Sequence, residues 1–169
     1  RTQAERQPKG TWIVAHGSPM QNFRMPEKRF PNRQDLDEAA PDHPVSINFG
    51  AHITIVNSKA LELAGVNSAS VAPAGGTIEF DDNGEPTGKL VERAQYVIRD
   101  VVPKYDYEQM KQGILFAAER CLSRGITNIH DIVTHDRAIR AYQELVQEGK
   151  LPIRVSLLIR IIEASIQKQ

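Results

Sequence analysis

Gly125-Ile126-Thr127-Asn128-Ile129-His130-Asp131, the span Asp136 to Gln147, and Ile153-Arg154-Val155-Ser156-Leu157-Leu158-Ile159 together decide the fold class. The first stretch is β-prone over 126–131. The second places Ile139, Tyr142, Leu145 and Val146 on one helical face, with Gly149 where a helix should stop. The third is a continuous apolar run, which is how a parallel strand buried on both faces reads. Upstream, Asp106 can cap a helix over 107–123. Met110, Ile114, Ala117, Ala118, Cys121 and Leu122 share one face of it, and Gly125 ends it. Helix, strand, helix, strand with short connections is a βαβ pattern, which closes right-handed as a rule. The spacing therefore predicts an α/β segment over 104–169.

Outward from that segment the texture changes. Residues 11–14 are a short β-prone run after Gly10. Pro19, Pro26, Pro31, Pro41 and Pro44 punctuate 17–44, forbidding a long helix or an inner strand; one turn is expected at 32–39. Val45 to Phe49 alternates apolar and polar, as a half-buried strand does. Asn57-Ser58 offers an N-cap for a helix to Ala64, with Ala60, Leu61 and Ala64 on one face and Gly65 as the stop. Residues 75–92 read as a hairpin turning at Asp81-Asp82-Asn83-Gly84. Residues 1–103 thus read as a loop-rich α+β domain.

Composition narrows the function classes. Lys plus Arg and Asp plus Glu are each 21, giving zero formal net charge, which disfavours a nucleic-acid partner. No apolar run approaches the roughly 18 residues of a membrane span, so no membrane partner is expected. One cysteine, Cys121, rules out an intramolecular disulfide and a Cys-rich zinc module. It lies on the apolar face of its helix and reads as a small buried hydrophobe. HxH, HExxH, GxGxxG, P-loop and GxSxG patterns are all absent from the 169 residues. Arg1 to Gln7 resembles the tail of a polar helix, and Ile161 to Ile166 follows a strand-like run without a stop signal, so the chain reads as cut from something longer.

A few residues remain as chemical candidates. His130 and Asp131 sit at the C-terminal end of the expected strand, the end that faces the active site in α/β barrels. A histidine there can bind substrate, donate a hydrogen bond or move a proton; equally, Asp131 can cap the next turn while His130 packs in a layer. Strand alternation puts His130 on the face opposite Ile129 and Asp131, with Ile129 under the helix at 107–123. His52 follows a strand and precedes a cap, which places it on a loop. Trp12 can be a substrate-stacking wall or a packing anchor. Arg24, Lys28, Arg29 and Arg33 can grip an anion or line a solvated loop.

Several patches, in order, resemble one family. They are Gly10-Thr11-Trp12-Ile13, Asn32 to Asp37, Ala40 to Val45, His52 with Asn57-Ser58-Lys59-Ala60-Leu61 and Ala64-Gly65, Gly75 to Ile78, Gly84 to Glu92, Gly125 to Asp131, and Leu151 to Val155. Together they resemble amidohydrolase family 3, the YtcJ-like metal-dependent hydrolases that include N-substituted formamide deformylase. The resemblance covers nearly the whole chain. It implies a TIM-barrel hydrolase, of which 1–103 is an α+β insertion domain and 126–131 and 153–159 are the second and third barrel strands. It implies hydrolysis of C–N bonds of amide or formamide type through water activated by a divalent metal, zinc by preference. The family's metal ligands map outside these residues, so no metal is expected on this chain, and the chain alone is expected to be inactive. His130 and Asp131 would stand at the barrel mouth as catalytic candidates, with Trp12, His52 and Asn57 lining the substrate side. One departure stands out: the family shows Asp-Gly before the histidine at position 52, and this chain has Gly50-Ala51. The expected partner is a small amide-type substrate. Two strands cannot close a barrel of eight, so self-association is expected. The rival readings are a non-catalytic binding or regulatory module and a small α/β enzyme centred on His130.

Overall fold

The computed structural model describes residues 2–160. The run Ile161 to Ile166 lies outside the described residues. The chain forms two compact units, Arg1–Pro103 and Lys104–Gln169. Its fold is mixed α/β.

The first unit is organised by a five-stranded sheet in the order β1-β2-β3-β5-β4. Its strands are β1 (Ile13–Gly17), β2 (Val45–Phe49), β3 (Ile53–Val56), β4 (Gly76–Phe80) and β5 (Pro86–Glu92). β1 runs parallel to β2, and every other pairing is antiparallel. The helices are α1 (Thr2–Arg6), α2 (Gln21–Arg24), α3 (Arg33–Ala39), α4 (Ser58–Leu63) and α5 (Gln95–Arg99). Alternation along the strands sorts two cores onto the two faces. Val45, Phe49 and Ile55 join Leu36 and Ala40 of the α3 region. Val56, Ile78 and Leu90 join Ala60 and Leu61 of α4 and Ile98 of α5, with Trp12 packed against them.

Three points differ from expectation in this unit. The 32–39 stretch is a full helix, α3, because Asn32 and Asp35 form a reciprocal capping box inside the proline-bounded window. Ile53–Val56 is a strand that the sequence reading does not anticipate, while His52 lies on a loop as expected, in the 50–52 turn that joins β2 to β3. The opening strand lies at Ile13–Gly17, not 11–14, because Ile13 is the first residue to pair with β2.

In the second unit, α6 (Tyr107–Leu122), β6 (Asn128–Val133), α7 (Asp136–Gln147) and β7 (Arg154–Ile159) follow one another. Asp106 caps α6 by a capping box with Gln109. Among the described residues β6 and β7 make a two-stranded parallel sheet, not a barrel. α6 and α7 are tied by Lys111, whose ammonium reaches Glu148 at 2.9 Å and Glu144 at 3.2 Å. Those hydrogen bonds, Glu148's first, hold Lys111 charged above its ordinary range.

The strand expected at 126–131 is shifted to 128–133. The helix end explains the shift. The Gly125 amide donates to the Leu122 carbonyl and the Ile126 amide to the Cys121 carbonyl. That is the Schellman closure, with Gly125 in the left-handed region at φ 76°. Ile126 therefore belongs to the cap of α6 and cannot start the strand. The same bond pattern closes α4 at Gly65 and α7 at Gly149. Val146 is 62% exposed rather than inward, because Ala141, Tyr142 and Leu145 already complete the buried stripe of α7. Ala117 and Leu122 are likewise exposed, leaving Ala118 as the buried residue of α6. β7 is not buried on both faces: its burial alternates, and Leu158 is 49% exposed.

Candidate functional site

The β6–β7 sheet has one covered and one open face among the described residues. Ile129, Asp131 and Val133, with Val155 and Leu157 of β7, form the covered face. Tyr142 of α7 donates its hydroxyl to Asp131 Oδ2 at 2.9 Å on that face. Burial first, and then this bond, pushes the Tyr142 phenol above its ordinary range. Asn128, His130 and Ile132 point the other way, and parallel register sets them beside Arg154, Ser156 and Leu158. The open face is thus polar in its first two rows and apolar in its third.

This separates the two expected catalytic residues. His130 is exposed on the open face, away from Ile129, while Asp131 faces the helix layer with Tyr142 as its partner. A strand turns consecutive side chains to opposite faces, so adjacency in sequence does not make a dyad. His130 is also the third residue of a six-residue strand rather than its last. The C-terminal edge is formed by Thr134 and His135 after β6 and by Arg160 after β7, whose amide donates to the Val133 carbonyl. Sequence reasoning missed His135 and Arg160. The continuing run Ile132-Val133-Thr134 was the available signal that the strand ends later.

In the first unit the substrate-side residues divide. Asn57 is 0% exposed. Its Oδ1 accepts from the amides of Val45 (2.9 Å) and Ala60 (3.1 Å), and its Nδ2 donates to the His43 carbonyl at 2.8 Å. A side chain so closed in cannot meet a substrate; Asn57 caps α4 and joins it to β2. Trp12 is partly buried against the apolar core of α4 and α5. His52 is the accessible one, its side chain 70% exposed. Its Nδ1 lies 2.8 Å from Glu92 Oε1 at the end of β5. Glu92 has φ 51°, a left-handed conformation uncommon for a residue with a side chain.

The other histidines stand apart. His43 is buried with Nδ1 2.9 Å from the Thr11 carbonyl, and His16 is exposed on β1. Among the described residues no three His, Cys, Asp or Glu side chains gather so as to hold a metal ion. The described residues therefore do not by themselves fit a metal centre. No described helix is long and apolar enough to cross a membrane.

This architecture is shared with solved metal-dependent hydrolases. An uncharacterized metal-dependent hydrolase from Pyrococcus horikoshii OT3 matches with TM-score 0.55 and 26% identity, over 94% of this chain and 30% of its own. The family model described as "Amidohydrolase family" matches residues 1–169, and the chain belongs to that family. It is 34% identical over 162 residues to YtcJ of Bacillus subtilis (strain 168), covering 92% of this chain and 30% of YtcJ. It is 29% identical over 156 residues to N-substituted formamide deformylase of Arthrobacter pascens, covering 89% of this chain and 28% of that enzyme. The chain thus spans under a third of the length of these relatives.

Proposed function

We propose that this chain is a segment of a metal-dependent hydrolase that cleaves C–N bonds of amide or formamide type. Within it, the first unit is an insertion domain, and β6 and β7 are the second and third strands of a TIM barrel. The observation that carries the reading is the β6–β7 pair. α7 packs against one face, where Tyr142 meets Asp131, and His130 stands on the other, beside Asn128 and Ser156. In a barrel the helix-free face is the interior, and the ends of its strands carry the chemistry. The formamide-cleaving relative supports the substrate class.

A divalent ion, zinc in this reading, would supply an activated water. Its ligands would lie outside the described residues, and the segment alone would not turn over substrate. His130 would bind or protonate at the interior face, and Asp131 would hold β6 to α7 through Tyr142. Trp12 would shape the substrate side from within the core, and His52 would face the substrate directly. The exposed apolar row of Ile132 and Leu158 would make the isolated segment self-associate.

The test is an assay of the intact protein on secondary amides and formamides, with chelation and readdition of divalent ions. Hydrolysis that vanishes with chelator and returns with metal is expected, and His130→Ala should lower turnover far more than stability. Turnover untouched by chelator would defeat the reading. Light scattering of the isolated segment should show association, and a clean monomer at high concentration would count against that part.

A further inference from the structure

A cavity of about 440 Å³ in the first unit is lined by α1, the C-terminal end of α3 and the segments that follow each. Its wall is tied down. The Gly10 amide donates to the Asp42 carbonyl and the Ile13 amide to the Pro44 carbonyl, both at 2.9 Å, and Lys9 pairs with Asp42 at 2.8 Å. His43 lines this cavity and is only 3% exposed. Its backbone is held at both ends, the amide donating to the Ala40 carbonyl and the carbonyl accepting from Asn57 Nδ2. Its Nδ1 lies 2.9 Å from the Thr11 carbonyl, which can only accept, so Nδ1 carries a proton. Nε2 has no partner among the described residues, and in the neutral ring that nitrogen holds the lone pair. Gln7 stands in the same wall, with its Oε1 sealed from solvent and no donor within reach. Two acceptors of one cavity thus lack the partner that buried polar groups ordinarily have.

The surroundings say what kind of donor fits. Lys9 and Asp42 cancel, while Glu5 and Glu38 add carboxylates that no described lysine or arginine pairs. Ala4, Ala39 and Pro41 supply the apolar part of the wall. A water takes about 30 Å³, so one bridging water leaves most of this space open. A metal ion does not suit it, because among the described residues no three His, Cys, Asp or Glu side chains gather. Acceptors spread along a wall call for an organic cation, whose charge and apolar stem lie apart.

We propose that this cavity binds a small primary alkylammonium. Its N–H donates to His43 Nε2, Glu5 and Glu38 offset its charge, and its stem lies on Ala4, Ala39 and Pro41. A second ammonium N–H draws the Gln7 amide outward and relieves the cost of an unpaired buried acceptor. The site stands apart from the hydrolase reading, and neither depends on the other.

The experiment titrates butylammonium into the intact protein by calorimetry at about pH 8.5, where the amine is still charged. Butanol and potassium chloride serve as controls. Saturable binding with a Kd of about 1 mM is expected, and butanol should bind about tenfold more weakly or not at all. His43→Asn keeps a side-chain N–H for the Thr11 carbonyl and has nothing at the place of Nε2. It should bind butylammonium about tenfold more weakly. Glu5 and Glu38 are exposed, so the double variant Glu5→Gln, Glu38→Gln leaves the core untouched and carries the test even if His43→Asn folds poorly. It should weaken binding about fivefold. Nitrogen-15 NMR should show His43 in the free protein as the Nδ1–H tautomer. No saturable heat would mean that water alone fills the cavity, and would overturn the proposal. Equal binding of butanol or potassium, parental affinity in either variant, or a proton on Nε2 in the free protein would overturn it as well.

Discussion

The Tyr142 hydroxyl meets Asp131 Oδ2 at 2.9 Å, linking the helix that follows β6 back to the strand it leaves. The bond lies on the face of β6 that α7 covers, opposite the face on which alternation places His130. Tyr142→Phe would leave a half-buried carboxylate without this donor, at a cost of about 1–2 kcal/mol.

The same pair gives an alkaline signature. The folded phenol titrates above its ordinary value of 10.0, because burial and then Asp131 oppose its ionisation. Its contribution is therefore complete below that value and lost as pH rises beyond it. Chemical denaturation of parent and Tyr142→Phe from about pH 9 upward should show the stability gap closing. A gap that widens with pH would contradict the assignment.

On the acid side, Asp35 is the informative group. Hydrogen bonds from Arg29 first, and from the Asn32 amide next, lower its carboxyl from 3.8 to about 2. Its folded value is depressed, so its stabilisation is present above 3.8 and disappears as pH falls toward 2. Both partners are substantially exposed, so solvent screens the ion pair, and the capping box carries the rest of the effect. Asp35→Ala should cost about 1 kcal/mol near neutrality and almost nothing near pH 2, read by helix circular dichroism against denaturant.

Gly88 tests the packing of β5 on β3. Its φ is 91°, and an added Cβ would stand 2.2 Å from the Val56 carbonyl oxygen and 3.1 Å from Arg33 Cβ. Backbone cannot retreat from that contact without breaking the sheet. Gly88→Ala should cost about 2 kcal/mol or more in thermal unfolding. An unchanged melting temperature would show that β5 is placed differently.

Asn57 separates folding from binding. Its three hydrogen bonds involve buried groups of His43, Val45 and Ala60. Asn57→Ala should lose about 3 kcal/mol of stability. Correctly folded protein recovered at low temperature should keep its KM. A raised KM with normal stability would return Asn57 to the substrate side.

What was legible in the sequence was local. Asn57 and Asp106 as caps, the stops after α4, α6 and α7, and the 75–92 hairpin each rest on hydrogen bonds among residues a few positions apart. The opposition of His130 and Ile129 followed from alternation alone, whatever the exact strand limits. The α3 capping box was also local; Asn32 and Asp35 carried the signal, though the prolines around them masked it. Tertiary structure decided the rest. Only the pairing of β3 with β2 and β5 made Ile53–Val56 a strand, and only burial between α4 and β2 turned Asn57 from a surface cap into an enclosed hub. The His52–Glu92 contact joins residues 40 positions apart through the register of β3 on β5. No local preference encodes such a pair. Side chains distant in sequence meet only when the sheet has formed, and their meeting sets what a histidine can do.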